Sequence, residues 1–229
     1  YADDYRAAGG PAGCSSCGGT SGAPAEGQLP SLKIMRIHRY RDLSQQGNFG
    51  PGGFLNYDVN LALSRTNAAT GAGTIVLWDP ADDVELKLTD TGSTGVYSNT
   101  SKKAVKDLRL YDLDDTQVID QALAVKAVVT GHTGKKAVFQ IVRTDTNVAS
   151  PNRRGRLTEL VDRNGNKITL TYAFAPGATD AAMGNNRQRL WEITSIADAY
   201  GRSATVTYRA ASVGGRRAIE RITMPNGNS

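Results

Sequence analysis

Few residues in this chain have the types and spacing that chemistry needs. Cys14 and Cys17 form a Cys-Ser-Ser-Cys pair, a spacing shared by redox dithiols, local disulfides and half-sites for zinc. Structural zinc takes four ligands, and the two histidines, His38 and His132, lie too far apart in sequence to complete a finger. Dithiol redox chemistry places the pair at the start of a helix after a strand, whereas this pair sits in Gly-rich sequence. A local disulfide in an oxidising compartment is the leading reading, with an intermolecular bridge, free thiols and a metal site as the alternatives. His38 accompanies Arg36 and Tyr40 in strand-like sequence, and His132 lies in a Thr-Gly-His-Thr-Gly turn. Both read as surface or partly packed side chains. Asp112, Asp114 and Asp115 suggest a calcium loop, but the Gly and distant Glu of an EF-hand are missing, so a charged turn fits better. Trp78 and Trp191 could stack on a sugar, yet at strand positions they read first as packing residues. No Ser/His/Asp constellation and no Gly-x-Ser-x-Gly stands out. The expectation is a protein that is not an enzyme, with no catalytic residue, no metal and no cofactor.

The elements that carry these residues are strands. Tyr57, Val59, Leu61 and Leu63 alternate with Asp58, Asn60, Ala62 and Ser64. Val84, Leu86 and Leu88 alternate with Glu85 and Lys87, and Ile168, Leu170, Tyr172 and Phe174 with Thr169 and Thr171. A period of two marks strands with one buried face. About a dozen such segments at hairpin spacing predict an antiparallel all-β protein. Residues 116–129 also carry a helical stripe through Val118, Ala122, Val125 and Val129; a strand over about 123–130, with or without a preceding helical turn, is the preferred reading. Residues 178–189 could hold one short helical turn. Residues 1–30 are rich in Gly, Ala, Ser and Pro without periodicity and read as a flexible arm. The expected division is that arm, a β-rich domain over 31–154, and repeated hairpins over 155–229.

Composition narrows the partners. The chain has 229 residues with 39% hydrophobic and 21% charged, enough apolar content for a sizeable core. Lys plus Arg number 27 against 22 acids, but the excess is scattered in pairs beside turns. Nucleic-acid binders gather such charge on one face, so no nucleic-acid partner is expected. No apolar run approaches the ~18 residues of a membrane helix, so no membrane span is expected. The chain starts at Tyr1 without an apolar leader, which reads as a processed product or an excised piece.

One pattern recurs. Residues 162–172 read DRNGNKITLTY and residues 198–208 read DAYGRSATVTY. Asp162, Gly165 and Tyr172 fall 36 residues before Asp198, Gly201 and Tyr208. A third copy starts at 224 as MPNGNS, with Met224 in the place of the Asp. Each copy reads as strand, turn, strand. The Asp can hold the start of the turn, and Asn-Gly suits the positive φ of tight hairpins. A lone hairpin is marginal in water, so copies laid side by side would share one core.

This pattern resembles that of the RHS/YD-repeat family, in the form G-x-L-x-x-[IV]-x-D-x-x-G-[NR]-x-x-T-[LV]-T-Y. The two full copies match at most of these places. RIHRYRDLSQQGNFGPGGFLNYDVNLAL also resembles the segment preceding the first repeats in large bacterial RHS proteins, with Phe54 where Trp is common there. The likeness covers about 30–229. It implies antiparallel hairpins in a large curled, shell-like sheet, in a secreted or cell-surface bacterial protein associated with toxins. It also implies that the partners are other parts of the parent chain or copies of itself, with glycans as a further candidate. The leading expectation is a non-enzymatic structural segment. The alternatives are a self-assembling fibre or surface-layer subunit joined by strand addition through the arm 1–30, and a carbohydrate-binding module. The last is weakened by the lack of a clustered aromatic platform.

Overall fold

A computed structural model describes residues 32–39, 46–65, 73–80, 84–90, 92–99, 105–143, 153–176, 191–213 and 216–227. The arm with Cys14 and Cys17, and residues 178–189, lie outside the described residues. Within them all regular structure is β. The strands are β1 (Arg36–His38), β2 (Gln46–Gly47), β3 (Gly50–Pro51), β4 (Gly53–Leu55), β5 (Asn60–Arg65), β6 (Gly73–Asp79), β7 (Val84–Thr89), β8 (Val96–Tyr97) and β9 (Val105–Tyr111). They continue as β10 (Gln117–Val118), β11 (Lys126–Gly131), β12 (Lys136–Arg143), β13 (Arg153–Val161), β14 (Lys167–Phe174), β15 (Trp191–Ala197), β16 (Ser203–Val213) and β17 (Arg216–Thr223). Every pairing is antiparallel. The helical stripe over 116–129 does not form a helix. Residues 121–123 make a turn, and β11 starts at Lys126, because β-branched Val128, Val129 and Thr130 fit a pleated, half-buried surface. Among the described residues of the N-terminal strand-like stretch, Arg36–His38 are ladder-paired, against β4.

Strand β13 organises the sheet. One edge pairs with β12. The other is shared: Arg153–Arg156 pair with β5, and Glu159–Val161 pair with β14. From β5 the pairing passes to β6 and β7, across two hydrogen bonds between Thr89 and Ser98 to β8, then through β9, β11 and β12 back to β13. The pairings of these strands therefore trace a circuit. Buried side chains from these strands form a shared core, and directly opposed positions supply them. Leu61 faces Leu77 and Leu77 faces Leu86; Tyr97 faces Leu108 and Leu108 faces Val129; Ala127 faces Phe139 and Phe139 faces Leu157. All are buried, each large one contributing about 1.5–3 kcal/mol relative to exposure. Where β5 meets β13 the facing residue is Gly155, paired with Leu61. A Cβ there would stand 3.0 Å from the Leu61 Cβ and 3.2 Å from the Ile141 Cδ1, so a side chain at this junction would have to push its neighbours aside by a few tenths of an ångström.

The remaining strands, β14 to β17, continue from β13 as a ribbon in sequence order. Their buried residues Ile168, Leu170, Ile193, Ile196, Ala204, Val206 and Ile219 join the same core cluster as the circuit. The segment 46–58 touches both the ribbon and the circuit. The Asn48 carbonyl accepts the Ile219 N–H at 2.7 Å, and Phe54 packs edge-on to Trp78 with ring centroids 5.0 Å apart.

Candidate functional site

The repeated hairpin is the feature on which the residues singled out in the sequence converge. Its turn is built by one carboxylate. Asp162 Oδ1 accepts the N–H groups of Asn164 at 2.8 Å and Asn166 at 2.9 Å, while Oδ2 accepts Asn166 Nδ2 at 2.8 Å. The Gly165 N–H returns to the Asp162 carbonyl at 3.2 Å. Asp198 does the same with Tyr200 N at 2.9 Å, Arg202 N at 3.0 Å and Arg202 Nε at 2.7 Å. Gly165 and Gly201 have φ of +86° and +77°. The turn differs in type from the one read off Asn-Gly: Gly165 has a positive φ and Asn164 does not. This is a longer loop with a left-handed residue at its exit, the pattern of three-residue hairpins. The Asn166 side chain is the first cause holding the Asp162 carboxyl below its ordinary value; desolvation opposes it, and backbone N–H groups reinforce it.

The same turn recurs at three further places, read from the sequence as a charged turn at 112–115, a turn around His132 and a third copy at 224. Asp112 Oδ1 accepts Asp114 N at 3.0 Å and Thr116 N at 2.9 Å, and Asp115 takes the left-handed place with φ +59°. Gly131 and Gly134 form another, with the Gly134 N–H on the Gly131 carbonyl at 3.0 Å and φ +80°. Met224 and Gly227 form the last, with 2.9 Å and φ +81°. One keeps the Asp and lacks the Gly; two keep the Gly and lack the Asp. A search keyed to both residues passes over all but two. The acidic triplet 112–115 is thus engaged in a turn: Asp112 caps it, and Asp115 pairs with Lys126. Among the described residues no three metal-ligating side chains gather.

A second recurring part carries no sequence motif. Thr158 is skipped between Phe139–Leu157 and Val138–Glu159, Thr194 between Tyr172–Ile193 and Thr171–Ser195, and Glu220 between Tyr208–Ile219 and Thr207–Arg221. These β-bulges are spaced by 36 and 26 residues, the spacing of Gly165, Gly201 and Gly227. A bulge leaves ladder groups unmatched, and the tyrosines take them up. Tyr172 Oη donates to the Leu157 carbonyl at 2.7 Å, and the Ile193 N–H donates to Tyr208 Oη at 2.9 Å. Both contacts reach back 15 residues to the position beside the bulge. Thr158 Oγ1 and Thr194 Oγ1 donate to the Val138 and Thr171 carbonyls of the preceding strand, at 3.1 Å and 3.2 Å. Each hairpin is ladder-paired over three residues next to its turn, Glu159–Val161 with Lys167–Thr169 and Ser195–Ala197 with Ser203–Thr205, and then forks. The tyrosine spans the fork.

A guanidinium lies against each of these tyrosines. Arg156 Cζ is 4.7 Å from the Tyr172 ring centroid and 3.5 Å from that of Trp191; its Nε donates to Gln140 Oε1 at 3.0 Å. Burial pushes its pKa down. Arg217 Cζ is 5.7 Å from the Tyr208 centroid. It is held by Glu192 in a bidentate pair, 2.8 Å and 2.5 Å, and the hydrogen bond to Glu192 raises its pKa. Glu192 and Arg156 occupy equivalent places 36 apart, so the two forks recruit their guanidinium from different strands. Trp191 also stacks on Phe174, centroids 3.8 Å apart and planes tilted 31°. Phe174, expected to face inward, is 42% exposed, because it lies beyond the three-residue pairing at the open end of the fork. The structure thus gathers an aromatic cluster, Tyr172, Phe174 and Trp191, that linear spacing had not suggested. His38 is exposed on β1 and His132 is exposed in its turn, apart from this cluster.

Among the described residues no helix is long and apolar enough to cross a membrane. No family model matches the chain, and no curated protein matches it closely enough to count as a relative.

Proposed function

We propose that this chain is a non-enzymatic structural segment of an RHS/YD-repeat type protein, a β-sheet scaffold for a secreted or cell-surface location in bacteria. The observation that carries the proposal is the repeated unit itself. The Asp-Gly turn, the bulge and the bridging tyrosine recur together at one spacing, and each unit adds two strands to the ribbon. Residues recurring for geometry rather than for a reacting group suit a building element. The shell-like curl implied by the resemblance belongs to the same proposal, as the product of many such units. Electron microscopy of the native protein tests it: an enclosing or extended sheet assembly is expected. Hydrolase or nuclease turnover by the pure protein that follows its elution profile would overturn it.

The exposed Phe174 ring, backed by Trp191 with Arg156 over it, favours a second reading, a carbohydrate-binding module, because sugar rings stack on exposed aromatic faces while nearby polar groups orient them. A glycan array is the test. Binding lost in Trp191→Ala supports this reading, and an array without hits ends it.

A further inference from the structure

We propose that the turn end of the sheet, where Lys106, Lys135, Lys136, Arg163 and Tyr200 emerge, is a contact surface for an anionic, phosphate-bearing lipid bilayer. The contact is additional to the scaffold role and does not depend on it. In sequence these cations are scattered beside turns; the strand pairings bring them together. Thr130 pairs with Asp107 and Gly131 with Val105, so Lys106 is the bulged residue of β9 beside the β11–β12 turn. Lys135 and Lys136 close that turn. The Lys135 carbonyl accepts the Gly131 N–H at 2.8 Å, and Lys136 pairs with Thr130. Lys136 also pairs with Val161 at the end of β13. Arg163 follows in the next turn, its Cβ 3.7 Å from where a side chain on Gly134 would begin. Three strand-to-strand steps of about 4.8 Å separate β9 from β13, so the four cations lie along roughly 15 Å of rim. All four are exposed.

The acids nearby are engaged elsewhere. Asp107 pairs with Arg109 at 3.7 Å, and Glu159 with Lys167 at 3.1 Å. Asp162 turns its carboxylate onto its own turn. Among the described residues none of the four cations forms a salt bridge. What stands beside them selects the partner. No Phe, Tyr or Trp lies within 130–136 or 161–167, so bases find no stacking platform among the cations. The aromatic at this end is Tyr200, 65% exposed in the 198–202 turn, which the Thr169–Ala197 pairing sets at the same end of the strands. Tyrosine favours the headgroup level of a bilayer, and basic side chains are drawn to an anionic leaflet within about a Debye length.

Co-sedimentation of the intact protein with vesicles tests this. Binding is expected to vesicles of phosphatidylglycerol and phosphatidylcholine in equal parts, and none to phosphatidylcholine alone. Arg163→Gln should weaken partitioning roughly fivefold, and Lys135→Gln with Lys136→Gln roughly fivefold for each charge. The charge variants should converge on the wild type as salt rises, whereas Tyr200→Ala should stay weaker at every salt concentration. Lys87→Gln, on β7 away from the rim, should change nothing. No sedimentation, equal binding to neutral vesicles, or an equal loss in Lys87→Gln would overturn the proposal. So would retention of inorganic polyphosphate or duplex DNA through the same residues without sedimentation, which would make a soluble polyanion the partner.

Discussion

At the residue scale, the two aspartates do the same work in different settings. Asp198 is buried, and its carboxylate accepts two backbone N–H groups and the Arg202 guanidinium. Asp198→Ala leaves these donors without their partner and should destabilise the protein by about 1–3 kcal/mol, read as a lower urea midpoint. Asp162 is more open and offers a pH test. Its folded pKa is depressed, chiefly by the Asn166 side chain. Its contribution is therefore fully present above the unfolded aspartate value near ~3.9 and is lost as pH falls through the lower folded value. Acid unfolding profiles of the wild type and Asp162→Asn should converge in that acidic range and separate above it. Parallel profiles at every pH would refute the role assigned to the carboxylate.

At the element scale, a hairpin of this ribbon is a short ladder, a bulge and a fork spanned by one hydroxyl. Tyr172→Phe keeps the ring against Arg156 and removes the donor to the Leu157 carbonyl. A loss of about 0.5–1.5 kcal/mol is expected, with faster amide exchange confined to the β13–β14 fork. Tyr208→Phe should produce the same effect at Ile193. An unchanged exchange pattern in both variants would show that the rings alone hold the forks. The period of two predicted the strands because alternation is a local property of the chain. The bulges were invisible because Thr158, Thr194 and Glu220 are ordinary strand residues. Only the partner strand, which skips them, defines a bulge.

At the scale of the whole molecule, β13 decides how circuit and ribbon join. Gly155 permits β5 to approach β13, with Leu61 and Ile141 occupying the space a side chain would need. Gly155→Ala should cost about 1–3 kcal/mol as overpacking. It should also speed exchange in β5 and β6 more than in β15 and β16, because those strands reach the ladder through this junction. Uniform exchange changes would mean that the circuit and ribbon open as one unit. The contact between Asn48 and Ile219 joins residues 171 apart in sequence; no local pattern announces it.

Local pattern accounts for the longer strands, for most of their buried residues and for the turns at 162, 198 and 224, since these follow from side-chain alternation, glycine's access to positive φ and the short reach of an Asp carboxylate. Asp162, Gly165, Asp198 and Gly201 were therefore legible from residues within five places of each other. Tertiary structure alone decided the rest. That the tyrosines of the motif bridge a fork, that Arg156 and Arg217 reach equivalent places from different strands, that Trp191 meets Phe174, and that the Asn48 carbonyl takes the Ile219 N–H all depend on long-range registers. Such registers are fixed by which surfaces bury one another, and the energy that selects them is shared across strands rather than carried by any one segment.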